Sequence, residues 1–111
     1  MKPIAWSDFE KVDMRVGVVV DPKEFPQAKR PAYRLWVDLG QLGVKCSSAQ
    51  ITHRYRPEQL IGRQVVCVVN FPPKPVGPFV SEVLMMGAYT EHGDVVLLRP
   101  DEPVRPGSKI G

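Results

Sequence analysis

No uncharged apolar run in these 111 residues approaches the roughly 20 that a membrane-crossing helix needs. Asp8 and Glu10 stand where a signal peptide would carry its apolar stretch. No membrane insertion is expected, and a cytoplasmic address follows by default. Cysteine is scarce: Cys46 and Cys67 are the only two, both in strand-like runs, with no CxxC and no His/Cys cluster nearby. Buried reduced thiols are therefore expected, and no metal. His53 and His92 are isolated. There is no Gly-rich phosphate loop, zinc spacing or nucleophile elbow. Ser47-Ser48 has no histidine within sequence reach, and Asp101-Glu102 sits in a prolyl tail where solvation explains it. These absences remove the usual grounds for an enzyme, so no catalytic residue and no cofactor are assigned.

What is present is a composition that packs. Hydrophobic residues make up 43% of the chain, which excludes disorder and predicts one globular domain over residues 1–111. The net charge of +3 is unevenly spread. Residues 1–28 carry four basic and five acidic side chains, residues 29–74 eight and two, and residues 75–111 three and five. The middle third, at net +6, suits a polyanion or a solvated surface.

The stretch Val65 to Gly87, VVCVVNFPPKPVGPFVSEVLMMG, sets a prolyl loop between two apolar runs. Pro72, Pro73, Pro75 and Pro78 restrict φ and push each preceding residue toward extended geometry, so the loop is stiff without being regular. Asn70 and Phe71 stand at its entrance and Phe79 closes it. Two readings are open: aromatics presented to a partner, or rings folded back as core plugs.

Ser7 with Glu10 three residues later is a capping-box pattern and predicts a first helix ending near Asp13. Met14 to Val20 is a strand stopped by Asp21-Pro22, and Lys23 to Pro31 a basic, prolyl loop. Tyr33, Leu35, Val37 and Leu39 alternate with Arg34, Trp36 and Asp38, the period of a half-buried strand. A third strand, Val44 to Ile51, has small residues at its centre, which admit close approach. Arg56 to Gly62 reads as a short helix, with Pro in its first turn and Gly past its last. Strands follow at Gln64 to Asn70, Val80 to Gly87 and Val95 to Arg99, and the tail from Pro100 has no regular pattern.

Strands joined by short loops, with one helix after the third, predict an all-β OB-fold, a five-stranded Greek-key barrel with an N-terminal helix and a C-terminal extension. OB-fold ligands meet strands two and three and the one-two and four-five loops. Here those loops are the Lys/Arg/Pro segment ending at Pro31 and NFPPKPVGPF. Arg34, Trp36 and Lys45 would add a cationic and aromatic surface of the single-strand-binding kind. Val65 to Val69 and Val95 to Leu98 are apolar on both faces, beyond what a lone barrel buries. The first helix, the tail or a second copy must cover them, and a two-fold homodimer is the preferred answer.

Five segments in order, DFEKVDMRVG, VKCSSAQIT, VVNFPP, SEVL and GDVVLLRP, resemble the CsaA type of export-related chaperone. The wider group is the OB-fold tRNA-binding domain, free or fused to some methionyl- and phenylalanyl-tRNA synthetases and related cytokine precursors. The resemblance implies a non-enzymatic homodimer whose apolar pockets take unfolded or pre-secretory polypeptides, with contacts to the secretion machinery. It also implies a basic surface for tRNA. Those domains often carry Ser-x-x-Met after the four-five loop; here Ser81 matches and Leu84 replaces Met, which keeps the apolar contact.

Two candidate sites result. An apolar groove for polypeptide would use Phe71, Pro72, Pro73, Phe79 and Met85, with the Asn70 amide offered to an extended chain. An RNA surface would use Lys29, Arg30, Arg34, Lys45, Arg54, Arg56 and Lys74 on phosphates, Ser81 and Leu84 in the site, and Trp36 stacked on a base.

Overall fold

The alternation in the second strand decides which way the sheet faces. In β2 (Tyr33–Asp38), Tyr33, Leu35 and Val37 are buried while Arg34, Trp36 and Asp38 stay partly in solvent. The computed structural model describes residues 1–111. Around β2 it builds a five-stranded antiparallel sheet in the order β3-β2-β1-β4-β7, from β1 (Met14–Glu24), β3 (Val44–Ala49), β4 (Gln64–Val68) and β7 (Leu84–Met85). Two hairpins complete it: β5 (Lys74–Val76) with β6 (Phe79–Ser81), and β8 (Gly87–Tyr89) with β9 (Val95–Leu97). The sheet curls into a nearly closed barrel, the OB-fold, around a core that includes Val19, Leu35, Val37, Leu39, Leu60, Val65 and Cys67. Helices α1 (Trp6–Glu10) and α2 (Pro57–Leu60) flank it, and no helix is long and apolar enough to cross a membrane.

Asp21-Pro22 does not end the first strand. A register shift between Val19 and Asp21 lets β1 bend and run on to Glu24. Proline is tolerated there because β1 pairs with β4 only as far as Val18, so Pro22 lies on an edge where no N–H is needed. The first helix also differs. It starts at Trp6, with Asp8 accepting the Ala5 N–H at 3.0 Å, and Ser7 is inside it. The predicted strand Val80 to Gly87 is broken into β6, β7 and β8, because Ser81 to Val83 turns to meet the edge of β3.

The cover for the fourth strand comes from the chain itself. Val66 and Val68 are 7% and 3% exposed without a second copy. The irregular tail is fastened along β1 and β4: Gln64 bonds the Val104 backbone twice, Gly107 N–H donates to Val16 O, and Ile110 N–H to Met14 O. The outer side of β9 is different, with Val96 and Leu98 left 38% and 39% exposed.

A polar clasp holds the β8–β9 turn against the loop after β3. The Asp94 carboxylate accepts from the Thr90 hydroxyl and from Arg54 Nε, and Tyr55 Oη accepts the Leu97 N–H at 3.0 Å. The Thr90 hydroxyl and then Arg54 hold the Asp94 pKa below its ordinary 3.8. A carboxylate depressed in this way stabilises the fold above its unfolded pKa, and the benefit is lost as pH falls through the folded value. Asp94→Asn is therefore expected to lower Tm near pH 7, with the gap to wild type closing in melts taken toward about pH 3. A gap that stays constant over that range would show that the charge of Asp94 does not contribute, and no gap near pH 7 would show that the clasp does not stabilise the fold.

Candidate functional site

The β1–β2 loop and the prolyl segment after β4 are far apart in sequence and meet in the structure. Gly77, at φ +57° ahead of Pro78, makes the two-residue turn between β5 and β6, the glycine-first geometry of a tight hairpin. This turn lies against Gln27 of the other loop, and the Phe79 ring stands 5.5 Å from Phe25 and 5.7 Å from Trp36, both edge-on. Lys23 Nζ lies 5.7 Å from the Trp36 ring centre and the Arg34 guanidinium 5.4 Å from that of Phe25.

Barrel closure uses side chains where a regular ladder would use backbone. Ser48 N–H donates to Ser81 Oγ at 2.9 Å, and Cys46 N–H to Glu82 Oε1 at 3.1 Å. The N–H groups of Glu82 and Val83 both donate to Cys46 O. The Cys46 Sγ lies 3.2 Å from Glu82 Oε1 and 3.1 Å from Val80 O, and burial together with that carboxylate pushes its pKa up. Cys67, deep in the core, is pushed by burial to about 12. Both are free thiols that stay protonated at neutral pH.

Of the polypeptide set, Phe71, Pro72 and Pro73 are exposed together in one irregular stretch, Phe71 at 52%. Phe79 is half-buried in the aromatic cluster, and Met85 belongs to the core at 8%. The Asn70 amide is already engaged: Oδ1 accepts the Asp13 N–H at 3.0 Å, and Nδ2 donates to Lys11 O at 2.7 Å. It ties the end of the first helix to the end of β4.

Of the RNA set, Lys29, Arg30, Arg56 and Lys74 are exposed and Lys45 is half-buried, and none of the five makes an ion pair within the chain. Arg34 forks onto Glu24 O at 3.0 and 2.7 Å, and Arg54 is paired with Asp94. Trp36 is half-buried, Ser81 Oγ is spent on closure, and Leu84 is 50% exposed. Sequence reasoning missed Phe25 and Glu82. An aromatic beside proline in an otherwise charged loop was the available signal for the first; for Glu82 there was none, because its partner lies 36 residues away.

Barrel, converging loops and unpaired surface cations define an OB-fold binding module. Residues 14–109 match the family model described as "Putative tRNA binding domain". The chain is 53% identical to the chaperone CsaA of Bacillus anthracis str. Ames, covering 99% of this chain and 100% of that one with a TM-score of 0.94. It is 46% identical to the CsaA chaperone protein of Picrophilus torridus, covering 98% and 100% with a TM-score of 0.92. It is also 36% identical over 110 residues to the methionine–tRNA ligase of Methanocaldococcus jannaschii, covering 99% of this chain but only 17% of the ligase. The chain belongs to the OB-fold tRNA-binding-domain family, and its structure is of the CsaA type.

Removing the Ser81 hydroxyl strands the Ser48 N–H at the closing seam. Ser81→Ala is expected to cost about 1–3 kcal/mol, the range for an unsatisfied buried donor. Urea melts measure this, and a cost below about 0.5 kcal/mol would remove Ser81 from barrel closure.

Proposed function

We propose that the chain is a non-enzymatic, homodimeric, cytoplasmic chaperone that binds apolar segments of unfolded or pre-secretory polypeptides and contacts the export machinery. Residues 1–111 would act as one domain. The observation that carries this reading is Phe71, half out of the protein beside Pro72 and Pro73, in a stretch whose stiffness lowers the ordering cost of binding. The similarity to two CsaA chaperones over nearly the whole chain supports it. Apolar burial at about 25 cal/mol per Å² supplies the energy, so binding is weak and sequence-tolerant. Phe79, packed on Phe25 and Trp36, Met85 in the core and Asn70, which ties the start of this stretch to the end of the first helix, take structural roles in this reading. A second copy would cover the outer side of the β8–β9 hairpin, where Ala88 lies beside Val96 and Leu98 N–H bonds Met86 O.

A second reading is favoured by Lys29, Arg30, Lys45, Arg56 and Lys74, which lie in the basic middle of the chain and make no ion pair, and by the family match. In it, Lys29, Arg30, Lys45, Arg56 and Lys74 meet tRNA phosphates, Trp36 stacks on a base, and Leu84 supplies an apolar contact. Arg34, Arg54 and Ser81 hold the surface in shape.

Fluorescence anisotropy of labelled tRNA, with an unfolded polypeptide as competitor, separates the two. Polypeptide binding is expected to hold or strengthen with salt and to weaken about tenfold in Phe71→Ala. Binding of tRNA is expected to fall steeply with salt, and Lys29→Ala with Arg30→Ala to reduce the log–log slope by roughly 1–2. Polypeptide binding that is salt-sensitive and indifferent to Phe71→Ala would sink the chaperone reading. Sedimentation velocity tests the assembly: a dimer is expected, converted to monomer by Val96→Asp with Leu98→Asp, and a monomeric wild type at micromolar concentration would refute it.

A further inference from the structure

A cleft of about 390 Å³ opens between the β1–β2 loop and the segment after β3, a volume within the roughly 300–1,000 Å³ range of small-molecule sites. Its floor is fixed. Phe25 and Tyr33 are 4% and 5% exposed. The Phe25 ring is packed by Arg34 and Phe79, and the Tyr33 hydroxyl donates to Tyr55 O at 2.7 Å. The fork of Arg34 on Glu24 O anchors the start of the loop, and Pro26 and Pro31 stiffen the walls. A cleft built this way cannot close by a simple change of rotamer.

The lining is mixed. Glu24, Lys29 and Thr52 supply its polar part, and prolines, alanines and aromatics the rest. An aliphatic side chain placed there would desolvate polar groups without pairing them, which is costly. A planar heterocycle has apolar faces for the walls and donors and acceptors along its edge for the polar lining. Charge points the same way, since Lys29 lines the cleft, Arg30 follows it in the same loop, and both are exposed without an ion pair. We propose that this cleft is a nucleotide subsite: one unpaired base enters it, and the attached phosphate meets Lys29 and Arg30. The inference deepens the RNA reading above and names the part of an RNA that the loop takes, an unstacked nucleotide.

The test is an NMR titration of the ¹⁵N-labelled full chain with AMP, CMP, GMP and UMP, with inorganic phosphate as control. Saturating shifts are expected at the amides of Ala28, Lys29, Ala32 and Thr52. Ala28→Leu, which fills the cleft and keeps both cations, is expected to weaken mononucleotide binding about tenfold. Thr52→Val provides a second variant if Ala28→Leu melts early. The proposal is overturned if no mononucleotide gives saturating shifts, if phosphate alone reproduces them, or if both folded variants bind as well as wild type. It is also overturned if the same amides answer to an apolar peptide and not to nucleotides, which would assign the cleft to polypeptide. Failure of tRNA to bind would remove the RNA reading and leave the mononucleotide result standing, so the two failures are distinguishable.

Discussion

The first strand carries more obligations than any other part of the chain. Residues Met14 to Val18 pair with β4, Val18 to Glu24 pair with β2, and the tail takes the edge that β2 leaves free near Met14 and Val16. One strand can serve three partners only because it bends at the register shift after Val19 and because β2 can cross it closely. At Gly17 a Cβ would stand 2.4 Å from Val37 Cγ1 and 2.8 Å from Leu39 Cδ2, contacts that no side chain tolerates. The curl of the sheet and the seating of the tail both depend on this crossing.

Closure at the other edge positions the candidate binding loops. Where β3 has no regular neighbour, Ser81 and Glu82 reach across with their side chains, and in doing so they fix the direction from which the β5–β6 hairpin departs. The hairpin then delivers Phe79 onto Phe25 and Trp36. Prolines keep the arm stiff, so the two loops meet as preformed surfaces with little ordering left to do on binding. The meeting of these loops is thus a consequence of how the barrel is shut.

Charge and apolar surface divide the same middle stretch of chain between them. The net +6 of residues 29–74 overstates the charge available to a ligand. Arg34 is spent holding the β1–β2 loop by the Glu24 carbonyl, and Arg54 is spent on the Asp94 clasp. What remains without an ion pair in this region is Lys29 and Arg30 on the β1–β2 loop and Lys74 at the start of β5, in a region whose aromatic rings are mostly turned inward. Cations without partners next to a rigid apolar floor favour ligands that carry both a charge and a flat face.

Much of this was legible in the sequence alone. The alternation from Tyr33 to Asp38 states which side of that strand is buried, the Pro and Gly around Glu58 to Leu60 mark a short helix, and the order of strands and loops specifies an OB-fold barrel. Those features are local: period, φ restriction and turn chemistry act within a few residues. The rest was decided by contacts between distant segments. Proline was an edge residue and not a strand terminator because β4 stops pairing at Val18. Asn70, read as a free amide, is occupied by backbone 57 and 59 residues away. The strand from Val80 to Gly87 is interrupted because its middle is recruited to Cys46. Local pattern specifies which face of an element wants burial; which partner supplies it, and which polar groups are consumed on the way, is settled only when remote segments compete for the same hydrogen bonds.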